Sequence, residues 1–251
     1  MKNQRELVEK NHIMKCKLCH LDKKLCKSHI IPESAYGSIY DDKHRVLEVS
    51  NLQKKLPKHQ KGLRELLLCK DCERHLNKYD SYFADTWFKN QLIPTRLLNE
   101  ELIINGLDYQ RFKLFHMSIL WRAGIASREE FASVKLGDHE ERLRQLILTD
   151  DPGDPNQYSV FGYILVFPKN YKVIHSLLIP PVEVDLFNVP GFHVTFGGCV
   201  WHYFLSNDLD LNQFPFILKD DGILHMLRQE VDQYEPVMDL MRERNKRGWG
   251  N

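Results

Sequence analysis

Two Cys-x-x-Cys pairs constrain this chain more than any other feature. Cys16-Lys-Leu-Cys19 and Cys69-Lys-Asp-Cys72 are separated by 49 residues. Four thiolates in two such pairs make a tetrahedral ligand set for one structural zinc ion, with Zn–S bonds of about 2.3 Å. A shared ion pins the surroundings of Cys16 to those of Cys69. Cys26 and Cys199 read as core residues, with Cys26 the alternative ligand. Cys16-Lys-Leu-Cys19-His20 also fits the CxxCH pattern of haem attachment, but the second pair gives the first a better use. The stretch MKNQRELVEKNHIMKCK lacks the apolar core of a signal peptide. No run approaches the roughly 20 apolar residues of a membrane-spanning helix. The expectation is a cytoplasmic protein without a membrane partner, where thiols stay reduced.

The first pair precedes a polar turn around Asp22–Lys24 and a short apolar run ended by Pro32, which reads as a knuckle feeding a β-hairpin. The second pair straddles a helix start. Cys72, Leu76, Tyr79, Phe83 and Trp87 recur on one helical face, and the positive end of the helix dipole favours thiolates there. A knuckle before a hairpin, tied through a metal to a helix start, is the layout of a treble-clef zinc finger. Glu73, Asn77 and Asp80 form a neighbouring polar stripe on the helix.

Beyond Pro94 the texture changes. Residues 109–126 are apolar nearly all round and read as a buried helix. Asp138-x-x-Glu141 has the form of a capping box before another helix. The run TDDPGDPNQ at 149–157 is the clearest break, and SVFGYILVF, YKVIHSLLIP and FHVTFGGCVWHYFL after it read as strands. The expected fold class is α+β. A zinc-bearing treble-clef domain covers 1–92. A C-terminal α+β domain covers 93–251, with helices in 93–150, mostly antiparallel strands in 158–218 and a final helix at 222–245.

Charge divides along the same line. Residues 1–90 contain 19 Lys and Arg against 12 Asp and Glu, whereas residues 91–251 contain 16 against 22. A basic head on an acidic body fits a nucleic-acid partner. Lys54, Lys55, Lys58, Lys61 and Arg64 fall within eleven residues that hold no acid, a candidate phosphate-binding loop.

The N-terminal motifs resemble those of the HNH, or ββα-metal, endonucleases. The elements are Cys16-x2-Cys19, then Ser28-His29-Ile30-Ile31-Pro32, then Leu68-Cys69-Lys70-Asp71-Cys72-Glu73, and they cover residues 16–85. The resemblance implies phosphodiester hydrolysis of DNA, with His29 as the general base and Glu73 as a ligand of a catalytic Mg2+ or Mn2+ ion. Asn77 and Asp80, at i+4 and i+7 from Glu73, would complete a metal cup. Three positions depart from the family pattern: Ser28 stands where a metal-binding Asp or His is usual, Glu73 where His or Asn is usual, and the mid-motif Asn has no clear counterpart, Arg64 or Glu65 falling near its place. The alternative is a zinc-stabilised nucleic-acid-binding protein with a degenerate, inactive site. The run Lys113–Arg122 also resembles a helix found in a group of bacterial HNH-like proteins, which suggests an integral second domain. Its expected roles are homodimerisation or recognition of a partner protein, in a phage-defence or restriction setting.

Overall fold

Residues 13–40, 45–47, 58–60, 62–186 and 188–246 are described in a computed structural model. Strand β1 (Ile13–Lys15) pairs antiparallel with β2 (Asp22–His29), and the first cysteine pair lies in the turn between them. Strands β3 (Arg45–Leu47) and β4 (Lys58–Gln60) form a separate antiparallel ribbon. Strand β5 (Arg64–Cys69) pairs with β2, completing a three-stranded sheet of order β1-β2-β5. Helix α1 (Lys70–Phe83) follows without a break and continues into a π-helical turn, Ala84–Lys89. The expected face is the buried one: Cys72, Leu76, Tyr79 and Phe83 point inward, as does Trp87 beyond them.

Strand β6 (Glu101–Ile104) comes next, then helices α2 (Tyr109–Ile125) and α3 (His139–Leu148). Asp108 caps α2 by accepting the Arg111 N–H at 2.9 Å. As expected, α2 is buried on nearly every side. Some of its interior polar groups find partners: Lys113 Nζ donates to Tyr109 Oη at 2.8 Å and to the Asp154 carbonyl at 2.6 Å, and His116 Nδ1 meets Tyr203 Oη at 3.0 Å, whereas His116 Nε2 and Trp121 Nε1 are buried without a partner among the described residues. The capping box expected at Asp138 does not form. Asp138 makes no side-chain cap bond and has helical dihedrals, φ −65° and ψ −15°, where a capping residue is extended, and Glu141 is engaged by Arg144 one turn on.

Strands β7 (Val160–Val166), β8 (Ile179–Leu186), β9 (Val189–Phe196), β10 (Cys199–Phe204) and β11 (Leu224–Glu230) join β6 in a six-stranded sheet of order β6-β11-β7-β10-β9-β8. All pairs are antiparallel except β11 with β7. Gly197 and Gly198, at φ of 64° and 85°, make the two-residue turn between β9 and β10. No bulge interrupts that hairpin, so His193 lies directly opposite His202.

The final helix expected from 222 needs correction. Residues 224–230 are strand β11, and helix α4 starts only at Glu235 and runs to Lys246. Leu, Met, Arg and Gln favour a helix in isolation. Here Leu224 and Met226 alternate inward, and the segment fills the slot between β6 and β7. Sheet pairing overrides local propensity.

The expected boundary at 92 does not separate two cores. One apolar cluster runs from Cys16 through Leu67, Phe83 and Trp87 to Phe115, Trp201 and Met226. Phe83 stacks on Phe115 with ring centroids 3.9 Å apart, and Trp87 Nε1 donates to the Gly197 carbonyl at 3.1 Å. Arg144 of α3 donates to the Leu18 carbonyl inside the cysteine knuckle, so the second half of the chain clamps the first.

Candidate metal centre and the His29 site

The sulfur atoms of Cys16, Cys19, Cys69 and Cys72 all lie within 4.8 Å of one another. Cys19 Sγ and Cys69 Sγ are 3.9 Å apart. A regular tetrahedron with Zn–S bonds of about 2.3 Å has edges of about 3.8 Å, so the spacing suits such an ion. Local structure prepares the site. The Cys16 N–H donates to the Leu21 carbonyl and the His20 N–H to the Cys16 carbonyl, each at 2.9 Å, which folds the knuckle. His20 closes it in a left-handed conformation, φ 59°, and is exposed, outside the sulfur cluster. The Cys69 N–H donates to Cys16 Sγ at 3.3 Å. Burial, with the other thiols around it, pushes the Cys72 thiol well up. Four sulfurs this close ionise together only around a cation, and the donor set fits a tetrahedral metal such as zinc. Cys26 is half-buried and outside the set, and Cys199 is fully buried.

Strands β2 and β5 carry a bulge that explains Ser28. Cys26 pairs with Leu68 and Lys27 with Leu66, so Leu67 is the extra residue. Its carbonyl is thereby turned to the knuckle and accepts the Lys17 N–H at 3.0 Å. The Leu68 N–H donates instead to Ser28 Oγ at 3.2 Å. Ser28 is 1% exposed. Its hydroxyl thus satisfies a buried backbone donor rather than facing a catalytic ion.

His29 ends β2, opposite Arg64 of β5. Its Nε2 meets the Glu33 carboxylate, four residues on. Its backbone carbonyl accepts from Arg122 Nη1 of α2 at 3.1 Å. The cysteine cluster holds the start of α1 beside this strand, and Lys23 of β2 reaches Asp71 in the first helical turn at 2.9 Å. Glu73 follows the fourth cysteine. Its Oε1 is buried and has no hydrogen-bond partner among the described residues. Burial, and after it the charge of Glu73, pushes the Cys26 thiol up.

Asn77 is exposed, and Asp80 is bound by Arg122 through both carboxylate oxygens. Among the described residues no second group of three His, Cys, Asp or Glu ligands converges. Lys54, Lys55 and Lys61 lie outside the described residues, and of Lys58 only its place in β4 is described. Arg64 is half-buried in β5. Sequence reasoning missed Glu33 and Arg122. The only signals were a carboxylate at i+4 from His29 and an arginine in the last turn of a long, mostly buried helix.

No helix among the described residues is long and apolar enough to cross a membrane. Comparison with known proteins returns no match to a family model, a curated protein or a solved structure.

Proposed function

We propose that residues 13–90 form a treble-clef, ββα-metal nuclease module that hydrolyses phosphodiester bonds of DNA, with one structural zinc on Cys16, Cys19, Cys69 and Cys72. The observation that carries this reading is the unpartnered buried oxygen of Glu73, one residue beyond a cysteine cluster that ties its helix to the strand of His29. A buried carboxylate oxygen without a donor is costly and calls for a cation. Mg2+ and Mn2+ suit it, since Mg2+ is commonly held by one or two carboxylates, several waters and the substrate phosphate. In this reading His29 takes the proton of the attacking water and the ion stabilises charge on phosphorus and the leaving oxygen. Arg64, across the ladder from His29, meets a neighbouring phosphate. Asp80 serves structure and stands outside the metal cup.

The test is cleavage of supercoiled plasmid with Mg2+ or Mn2+. The wild-type chain should nick it. His29→Ala should abolish nicking with zinc content unchanged, and Glu73→Gln should lower the rate and weaken the metal dependence. Activity that survives His29→Ala undiminished would sink the assignment. The capture of Asp80 by Arg122 favours a second reading, a zinc-stabilised nucleic-acid-binding protein without catalysis. Salt-sensitive DNA binding with no cleavage in either metal would select it.

A further inference from the structure

We propose that His193 and His202 are paired ligands for one divalent late first-row transition-metal ion, of the cobalt, nickel, copper or zinc kind, with water filling its remaining positions. The site is distinct from the cysteine cluster and does not rest on the nuclease reading. The two histidines are a cross-strand pair in the hairpin of β9 and β10. Strand alternation turns them away from the side of Trp201 and Tyr203, which face the helices and meet Trp87 and His116 there. His193 and His202 thus share the other face of the sheet, with ring centroids 5.0 Å apart. His202 is fully buried and His193 half-buried.

All four ring nitrogens are buried, and none has a hydrogen-bond partner among the described residues. A single buried polar atom without a partner is already costly, and here four fall in one pair of facing rings. The neighbours do not relieve them. Phe204 and Phe161 lie against His202, at centroid distances of 4.3 and 5.2 Å. The Tyr234 ring lies 5.7 Å from that of His193, but its hydroxyl is paired with Thr195 Oγ1 at 3.1 Å. Gly191 borders the free edge of His202: a Cβ there would come within 3.0 Å of Nε2 and 2.5 Å of the Tyr203 carbonyl. Gly191 does not take a positive φ, so close approach, not backbone conformation, calls for a glycine at this place.

The donor set selects the ion. Burial keeps both rings neutral near pH 7, so each offers one lone pair and retains one N–H. Imidazole suits zinc, copper and nickel. Mg2+ and Ca2+ take oxygen ligands, and no carboxylate among the described residues perturbs either ring. The spacing fits as well. With metal–nitrogen bonds of about 2.0–2.1 Å and a tetrahedral angle, two imidazoles on one ion have centroids about 5.2 Å apart. A shared ion satisfies one nitrogen of each ring at once. Two protein ligands leave coordination positions open, so this ion exchanges readily, unlike one closed in by four cysteines. Dialysis should remove it while a zinc on the cysteines stays.

The test adds Co2+ to the dialysed full chain at neutral pH. Wild type should develop the visible d–d bands of Co2+ bound by nitrogen and oxygen, saturating at one equivalent per chain. The near-ultraviolet charge-transfer band of thiolate-bound Co2+ should stay absent. His202→Leu and His193→Phe should each abolish the visible bands, with circular dichroism unchanged. A second readout needs no variant. In long-range proton–nitrogen correlation on the wild type, the ring signals of His193 and His202 should move on addition of Zn2+ and hold still on addition of Mg2+. No visible bands in the wild type, or bands that survive both replacements, overturn the proposal. So do His193 and His202 ring signals that Zn2+ leaves in place, the outcome expected if buried water alone meets these nitrogens.

Discussion

Asp80 and Arg122 face each other across the packed helices α1 and α2, with guanidinium nitrogens 3.1 and 3.0 Å from the two carboxylate oxygens. The arginine is 3% exposed. It spends its remaining donors on the Ser118 carbonyl and hydroxyl and on the backbone carbonyl of His29. One side chain thus joins the helix after the cysteine cluster, the buried helix of the second half and the end of the strand bearing the candidate base.

Removing one partner of such a pair leaves the other buried and uncompensated. Arg122→Met should destabilise the fold by about 3–5 kcal/mol, read as a lowered urea midpoint. Asp80→Asn should cost less, and the double variant less than the sum of the singles. On the structural assignment of Asp80, Asp80→Asn should leave the metal dependence of any cleavage unchanged. A loss of Mg2+ dependence in that variant would return Asp80 to the metal cup.

Zinc content and folding should move together. Elemental analysis should give one zinc per chain. Single Ala replacements of Cys16, Cys19, Cys69 or Cys72, or strong chelation, should remove it and unfold the segment around the knuckle, because metal binding there is folding free energy. Cys26→Ala should keep the metal. A chain that folds normally with no bound metal would contradict the assignment.

Ser28→Ala should cost roughly 1–3 kcal/mol in urea unfolding, the penalty for stranding the Leu68 N–H. Ser28→Thr keeps the hydroxyl and should cost less, provided the bulge admits a methyl group. Equal stability of Ser28→Ala and wild type would remove the bulge explanation.

Acid should weaken the fold early. Burial pulls His193 down to about 4, and burial with the neighbouring His193 pulls His202 down to about 3. Both titrate near 6.5 when unfolded, so the unfolded chain binds more protons between about pH 4 and 6.5. Their contribution is complete above pH 6.5 and is lost as pH falls toward the folded values. The limit is about 1.4 kcal/mol per pH unit for each group. Urea midpoints taken between pH 7.5 and 5 should fall, and His193→Phe with His202→Leu should flatten that slope. An unchanged slope in the double variant would place the acid sensitivity elsewhere.

The legible parts of the sequence were those whose chemistry is local. Two Cys-x-x-Cys pairs carry their ligand geometry in their spacing, and the resulting cluster holds all four sulfurs. The inward face of α1 and the all-round burial of α2 followed from periodicity alone. What escaped was set by partners distant along the chain. Arg122 meets Asp80 across 42 positions, Arg144 meets Leu18 across 126, and neither pairing leaves a pattern. Glu33 was close enough to His29 to be noticed, but its contact depends on the turn that Pro32 starts. Ser28 looked like a damaged ligand position because the bulge it serves is visible only in the strand register.

The place of β11 has a consequence for synthesis on the ribosome. Strand β6 pairs with β11 and with no other strand of its sheet, yet about 120 residues lie between Ile104 and Leu224. At roughly 5–20 residues per second, β6 waits about 6–24 s after it is made before its partner exists. Ile103, on that strand, is 48% exposed even in the finished fold. Throughout that interval a nascent chain presents an unpaired apolar edge, the condition under which chaperone engagement precedes closure of a sheet.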